Sequence, residues 1–329
     1  MLSGQLDATQ ARIEKHLRAI QDRIESRLGP LPGTPAAPRM EKADTPSSES
    51  ARSVAFGIED VLHARQEEFR HAVRLVGESE LVQTNGDYRR QFAEIAFHFD
   101  VADSAYNAYA LKEAVLLSDG TRACPPAAVF CGGMANAISL ISVSLAVYLE
   151  DRLDSILRFT YQDMGRAIVA GGARFAIEES VRIFDRNLRF KMQELVRQQG
   201  DSVFAAVRAV RTSMYLYTLT HEVGHILLGH TKGDRPNSDV SRNQEREADS
   251  FAASVLSTCP NREFHYLAGA LSEALMVWAD RAAGDPAPTS HPASRERFIN
   301  FIKSNREAAE EAARVFGLDQ RRLENLLPL

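Results

Sequence analysis

Cysteine is scarce in this chain. The three present (Cys124, Cys131 and Cys259) are odd in number and follow no zinc-finger spacing. That excludes a disulfide-framed secreted scaffold and leaves reduced thiols, as expected of a cytoplasmic protein. A charge excess is missing too: 39 Lys and Arg against 44 Asp and Glu leave a net charge of −5. So small a negative balance supplies no field for a dedicated binder of nucleic acid or anionic lipid. The opening residues, Met1 to Asp7, lack a basic segment followed by an apolar one, so no secretory leader is expected. Phosphate-cradling glycine loops are absent, because neither Gly132-Gly133 nor Gly171-Gly172 is followed by Lys-Ser or Lys-Thr. The remainder is ordinary globular composition, 44% hydrophobic and 25% charged over 329 residues, room for one large domain or two average ones.

One stretch is long enough to test for a membrane span. Ala123 to Leu149 carries no charge. It also holds Pro125, Pro126, Gly132, Gly133, Asn136 and three serines, with no strong positive bias in its flanks. A buried strand (Ala128 to Cys131), a Gly-Gly turn and a buried helix from Ala135 to about Leu157 account for it better, and a membrane is not the expected partner.

Two segments precede the globular pattern. Over residues 5–28, Ile13, Leu17, Ile20 and Ile24 recur at helical steps, giving an amphipathic helix that either lies on its own domain or self-associates. Five prolines between Gly29 and Ser48 then make a semi-extended linker. The expected division is therefore residues 1–52 as helix and linker and 53–329 as one domain. Within the latter, Ile58 to Thr84 is helical, Ala93 to Val101 alternates as a strand does, and Ala105 to Leu111 offers a second strand. Helices fill Phe159 to Arg197 with a break at Gly171-Gly172, and Arg295 to Phe316 is an amphipathic helix covering the core.

The sharpest signal is His221-Glu222-Val223-Gly224-His225. Histidines at i and i+4 share one helix face and can bring two imidazole nitrogens to one tetrahedral zinc, with the intervening Glu222 placed to accept a proton from water. The motif sits in an otherwise apolar run, Met214 to Leu228, where two histidines and a glutamate need partners or a metal. A third histidine is not available at the metzincin spacing: Thr231 occupies that place, His230 falls one short, and Leu228 stands where a glycine is required. Downstream, Glu245, Ala248, Asp249 and Ala252 share a helix face, two carboxylates beside two small residues. Such a face can approach the motif helix closely. Glu245 is the candidate third ligand and Asp249 the partner of a ligand imidazole. Without the HExxH motif the same run would read as a solvated acidic face.

The pair HExxH and ExEAD resembles the gluzincin metallopeptidases, in particular the HtpX-type proteases and CAAX-prenyl endopeptidases. His291, Pro292 and Arg297 resemble that group's HP-x4-R signature, and Asn107-Ala108-Tyr109-Ala110 resembles its strand beside the active-site cleft. The resemblance implies Glu222 as catalytic base, Glu245 as third zinc ligand, and His291 and Arg297 close enough to touch the reacting carbonyl or the substrate. It also implies an α+β fold, mainly helical, in which a small β-sheet packs on the HExxH helix. The chain departs from that group by lacking its membrane helices and by inserting Glu150 to Ser213 before the motif. Those departures point to soluble relatives, such as the Lit-type phage-exclusion peptidases or the repressor-cleaving gluzincins that also use HExxH and a downstream glutamate. The expected activity is zinc-dependent hydrolysis of a protein or peptide. The alternative is a catalytically idle zinc-binding scaffold or partner-binding protein on the same fold.

Overall fold

The computed structural model describes residues 58–151, 154–199, 202–232, 237–259, 262–284, 293–304, 306–316 and 320–325. The helix and linker expected over 5–48, the expected boundary at 52/53 and His291 lie outside them. The chain divides into two compact units, Met1–Arg65 and Gln66–Leu329; apart from the first residues of the helix that begins at Ile58, the description below concerns the second.

The fold is α+β and mainly helical. Helix α1 (Ile58–Glu78) leads through α2 (Glu80–Thr84) into α3 (Gly86–Phe92), whose first turn is capped by the Asn85 side chain accepting from the Asp87 and Tyr88 amides. The strands are β1 (Ala96–Asp100), β2 (Ala108–Ala110), β3 (Val115–Leu116), β4 (Arg122–Ala123) and β5 (Ala127–Cys131). One sheet has the order β1-β5-β2, with β5 parallel to β1 and antiparallel to β2. The central β5, AAVFC, is buried at every residue, as a strand covered on both faces must be. β3 and β4 form a separate hairpin.

Gly132-Gly133 is not the turn expected from the sequence. These glycines open helix α4 (Gly132–Asp151) directly after β5. The 101–105 backbone crosses so closely that a Cβ on either glycine would sit 2.1 Å from a carbonyl oxygen, of Val101 and Ser104 respectively. In α4 the hydroxyls of Ser139, Ser142 and Ser144 donate to carbonyls one turn back, which satisfies them within the uncharged, largely buried part of the helix. Among the described residues, no helix is long and apolar enough to cross a membrane.

Helices α5 (Asp154–Ala170), α6 (Ile177–Asn187) and α7 (Arg189–Gln199) follow, the first two separated by a left-handed turn at Gly172 (φ +63°). The motif helix α8 (Ser202–Leu227) packs against α4, β2 and β5. Its seat is aromatic: Tyr215 meets Phe130 of β5 edge to face at 5.1 Å, and Phe130 and Phe99 both pack on Phe69 of α1. A buried pair, Arg211 on α8 with Glu68 on α1, fixes the same helix along its axis. α9 (Ser238–Thr258), α10 (Arg262–Ala282), α11 (Ser294–Ser304) and α12 (Arg306–Phe316) close the domain, with α13 (Gln320–Glu324) last. The C-terminal segment expected as helical over 295–316 is helical over 294–304 and 306–316 among the described residues.

Candidate metal centre

The site forms where α8 and α9 touch. Contact this close needs small residues on both sides. A Cβ on Gly224 would lie 3.3 Å from Ala248 Cα and 3.1 Å from the Phe251 ring, so the glycine inside HEVGH and the alanine inside EREAD set the spacing together. Across this seam His221, His225 and Glu245 converge and could hold a metal ion. The two Nε2 atoms are 3.1 Å apart, and the Glu245 carboxylate lies 3.4 Å from His221 Nε2 and 3.5 Å from His225 Nε2.

Behind the donors stand further groups. Asp249, one turn after Glu245 on α9, places Oδ1 2.9 Å from His221 Nδ1. The Arg297 guanidinium from α11 donates to both Asp249 oxygens, at 3.0 and 2.7 Å, and lies 3.8 Å from Glu245 and 3.4 Å from Glu273 of α10. Tyr217, one turn before His221, donates to Glu273 at 2.5 Å. Arg297 is therefore engaged by carboxylates behind the ligands.

On the other side His225 Nδ1 is 3.1 Å from His230 Nδ1, and His230 Nε2 is 2.8 Å from Glu247 Oε2.

Burial sets the electrostatics. It opposes charge on His221, yet the hydrogen bonds of Asp249 and Glu245 prevail and raise its pKa to about 10. Burial and the neighbouring His221 push His225 down to about 3. Burial lifts Glu222 to about 7, with His221 opposing and Glu245 reinforcing the rise. Burial also favours a neutral Asp249, but Arg297 and His221 outweigh it and hold that carboxyl near 2. Glu273 is raised by burial against the pull of Arg297.

The structure therefore gathers His221, Glu222, His225, Glu245, Asp249 and Arg297 within one site. It adds Tyr217, Glu273, His230 and Glu247, to which the sequence reading gave no role. Two of these had a signal: Glu273 is the only charge between Leu267 and Ala279, and Tyr217 continues the i, i+4 row of the two ligand histidines.

Comparison with curated proteins and with solved structures finds no match. Residues 189–317, which hold α8, α9 and the Arg297 helix, match the sequence model of the family Peptidase U49, and this match supports a peptidase, the Lit-type relative among the expected ones.

Proposed function

We propose that the protein is a zinc-dependent endopeptidase of the gluzincin type. The observation that carries the reading is the spacing of the three donors. Tetrahedral zinc bonded to N and O at about 2.0–2.1 Å separates its ligand atoms by about 3.3 Å; here the two Nε2 atoms are 3.1 Å apart, Glu245 Oε2 lies 3.4 Å from His221 Nε2, and Glu245 Oε1 lies 3.5 Å from His225 Nε2. His221 and His225 would supply nitrogen and Glu245 oxygen, the set used by catalytic sites that keep one position open.

When bound, zinc supplies Lewis acidity and lowers the pKa of its water toward neutrality. The protein's own groups do the rest. Glu222, with a pKa near 7, can accept a proton from the attacking water and return it to the leaving amide nitrogen. Asp249 Oδ1 stands 2.9 Å from His221 Nδ1, and Arg297 holds Asp249, so Arg297 acts as a positioning residue.

A peptide substrate is supported by the edge strand. Leu111 N–H donates to Ala127 O and Cys131 N–H to Asn107 O, so the odd-numbered residues of this segment face β5. The amides of Ala108 and Ala110 then face away from β5, and the Ala110 amide interacts with the Glu222 carboxylate. An extended chain can pair along such an edge. Against an idle scaffold stands Glu222 itself: a buried carboxylate raised to about 7 burdens folding and serves no structural bond that glutamine could not make.

The test is a paired measurement. Purified protein should hold about one zinc per chain. Glu222→Gln should retain it while slowing cleavage by about 100- to 10,000-fold. Comparing the new protein termini in cells that express wild type or Glu222→Gln would identify the substrate, and identical termini in both would remove the proteolytic reading.

A further inference from the structure

We infer that His230 and Glu247 form a relay that fixes the tautomer and orientation of His225, which makes the C-terminal cap of α8 a working part of the metal centre. The inference rests on the zinc reading above.

The relay starts in the backbone. α8 ends at a left-handed glycine, Gly229 (φ +81°). Its N–H donates to Ile226 O at 3.0 Å, and His230 N–H reaches back to His225 O at 2.8 Å. Those two bonds define a Schellman cap, which folds the residue after the glycine over the residue one turn inside the helix end, a contact usually filled by two apolar side chains. Here both positions are histidine, with Nδ1 atoms 3.1 Å apart. His230 is 6% exposed, too buried for its ring nitrogens to rely on water. Its other nitrogen faces Glu247 on α9 at 2.8 Å.

The order of protons along this chain follows from the partners. An ionised carboxylate only accepts, so His230 carries its hydrogen on Nε2 and donates to Glu247. A neutral His230 ring then presents a lone pair at Nδ1. That lone pair takes the Nδ1–H of His225, which leaves the His225 Nε2 lone pair facing His221 Nε2 and Glu245. Without the relay His225 is free to hold its hydrogen on Nε2, where it would occupy the place of the metal. Asp249 does the equivalent work for His221 in a single step. His230 meets His225 through Nδ1, on the opposite side of that ring from the three donors, so it is a positioning residue and not a ligand.

The experiment is zinc affinity of the full-length protein, measured by competition with a chromophoric chelator, for wild type, His225→Ala, Glu247→Ala, His230→Leu and His230→Asn. Losing such an outer partner costs about 10- to 100-fold in metal affinity. We expect about tenfold for Glu247→Ala and about 100-fold for His230→Leu. His230→Asn should recover most of the loss, since its amide oxygen can accept the His225 Nδ1–H. In zinc-loaded wild type, ring nitrogen NMR should report His230 as the Nε2–H tautomer. Unchanged affinity in Glu247→Ala, or a His230 protonated on Nδ1, overturns the relay while leaving the zinc site standing. Wild type that binds no zinc, or His225→Ala that binds as wild type does, overturns both. Should His230→Leu fail to fold, Glu247→Ala decides alone, because that side chain is 62% exposed and its loss does not threaten the core.

Discussion

The two histidines of the motif are held from opposite sides by unlike means. Behind His221 lies a buried network drawn from three further helices: Asp249 of α9, Glu273 of α10 and Arg297 of α11, with Tyr217 of α8 joining it. Behind His225 lies a short local device, the cap at Gly229, His230 and a mostly exposed Glu247. The interior side couples metal geometry to the packing of the whole helical layer. The rim side sets geometry with a turn and one carboxylate. Damage to the first should therefore appear as lost folding stability, and damage to the second chiefly as weaker metal binding.

Arg297 gives the strongest break of that comparison. It is the shared cation of Asp249 and Glu273, and its removal leaves two buried carboxylates without their guanidinium partner. Arg297→Leu should cost about 3–5 kcal/mol of unfolding free energy in urea titration. The loss should shrink on acidification, as those carboxyls take up protons. A variant as stable as wild type would mean that the interior side is no better integrated than the rim.

Glu222 sharpens the same contrast through pH. Its folded pKa of about 7 lies above the ordinary value of 4.5, so ionisation opposes folding. The penalty is absent below about pH 4.5 and complete above about pH 7. Chelator-treated Glu222→Gln should therefore match wild type near pH 4.5 and exceed it by about 3 kcal/mol at pH 8. Equal stabilities at pH 8 would show that the carboxylate is comfortable where it sits and is not poised as a base.

On the rim, Gly229 carries the cap. An alanine forced to φ +81° costs about 1–2 kcal/mol, and the shift of His230 should lower zinc affinity as well. Gly229→Ala with wild-type affinity would separate the turn from the metal.

The comparison also explains what could be read from sequence. The i, i+4 histidines and the Glu245–Asp249 spacing are local, so helical geometry alone put four of the site residues on two faces, and the small Ala248 and Ala252 announced a close helix contact. The strand segments within 93–131 were legible from alternation and apolar runs. Their order was not, since parallel pairing of β1 with β5 is set by contacts distant in the chain. The β3–β4 hairpin has two-residue strands, too short for alternation to show, and its one local signal is Asp119-Gly120, where Gly120 takes φ +83°. Glu273 showed only as one charge in an apolar helix, and nothing in such a pattern tells which distant arginine will meet it. By spacing His230 falls one place short of a metzincin third ligand. Its actual use depends on a chain reversal that helical periodicity does not describe.

The smallest expected effect comes from a second ion pair between the same two helices. Arg246 and Glu296 join α9 to α11 at 3.0 Å, one turn from the Asp249–Arg297 pair at 2.7 Å. The geometry is comparable, and the surroundings are not. The outer side chains are 46% and 45% exposed, the inner ones 18% and 14%. In water each outer charge is well solvated before the pair forms, so pairing gains little and salt screens it further. Glu296→Gln should cost less than about 1 kcal/mol, fade by 0.5 M salt and leave zinc affinity untouched. Loss of the inner pair has no such refuge, because a buried charge has no water to return to. If Glu296→Gln cost more than about 2 kcal/mol, well above the range for exposed pairs, the outer bridge would be holding α11 in place. Arg297 would then owe its position to the surface and not to the carboxylates behind the metal centre.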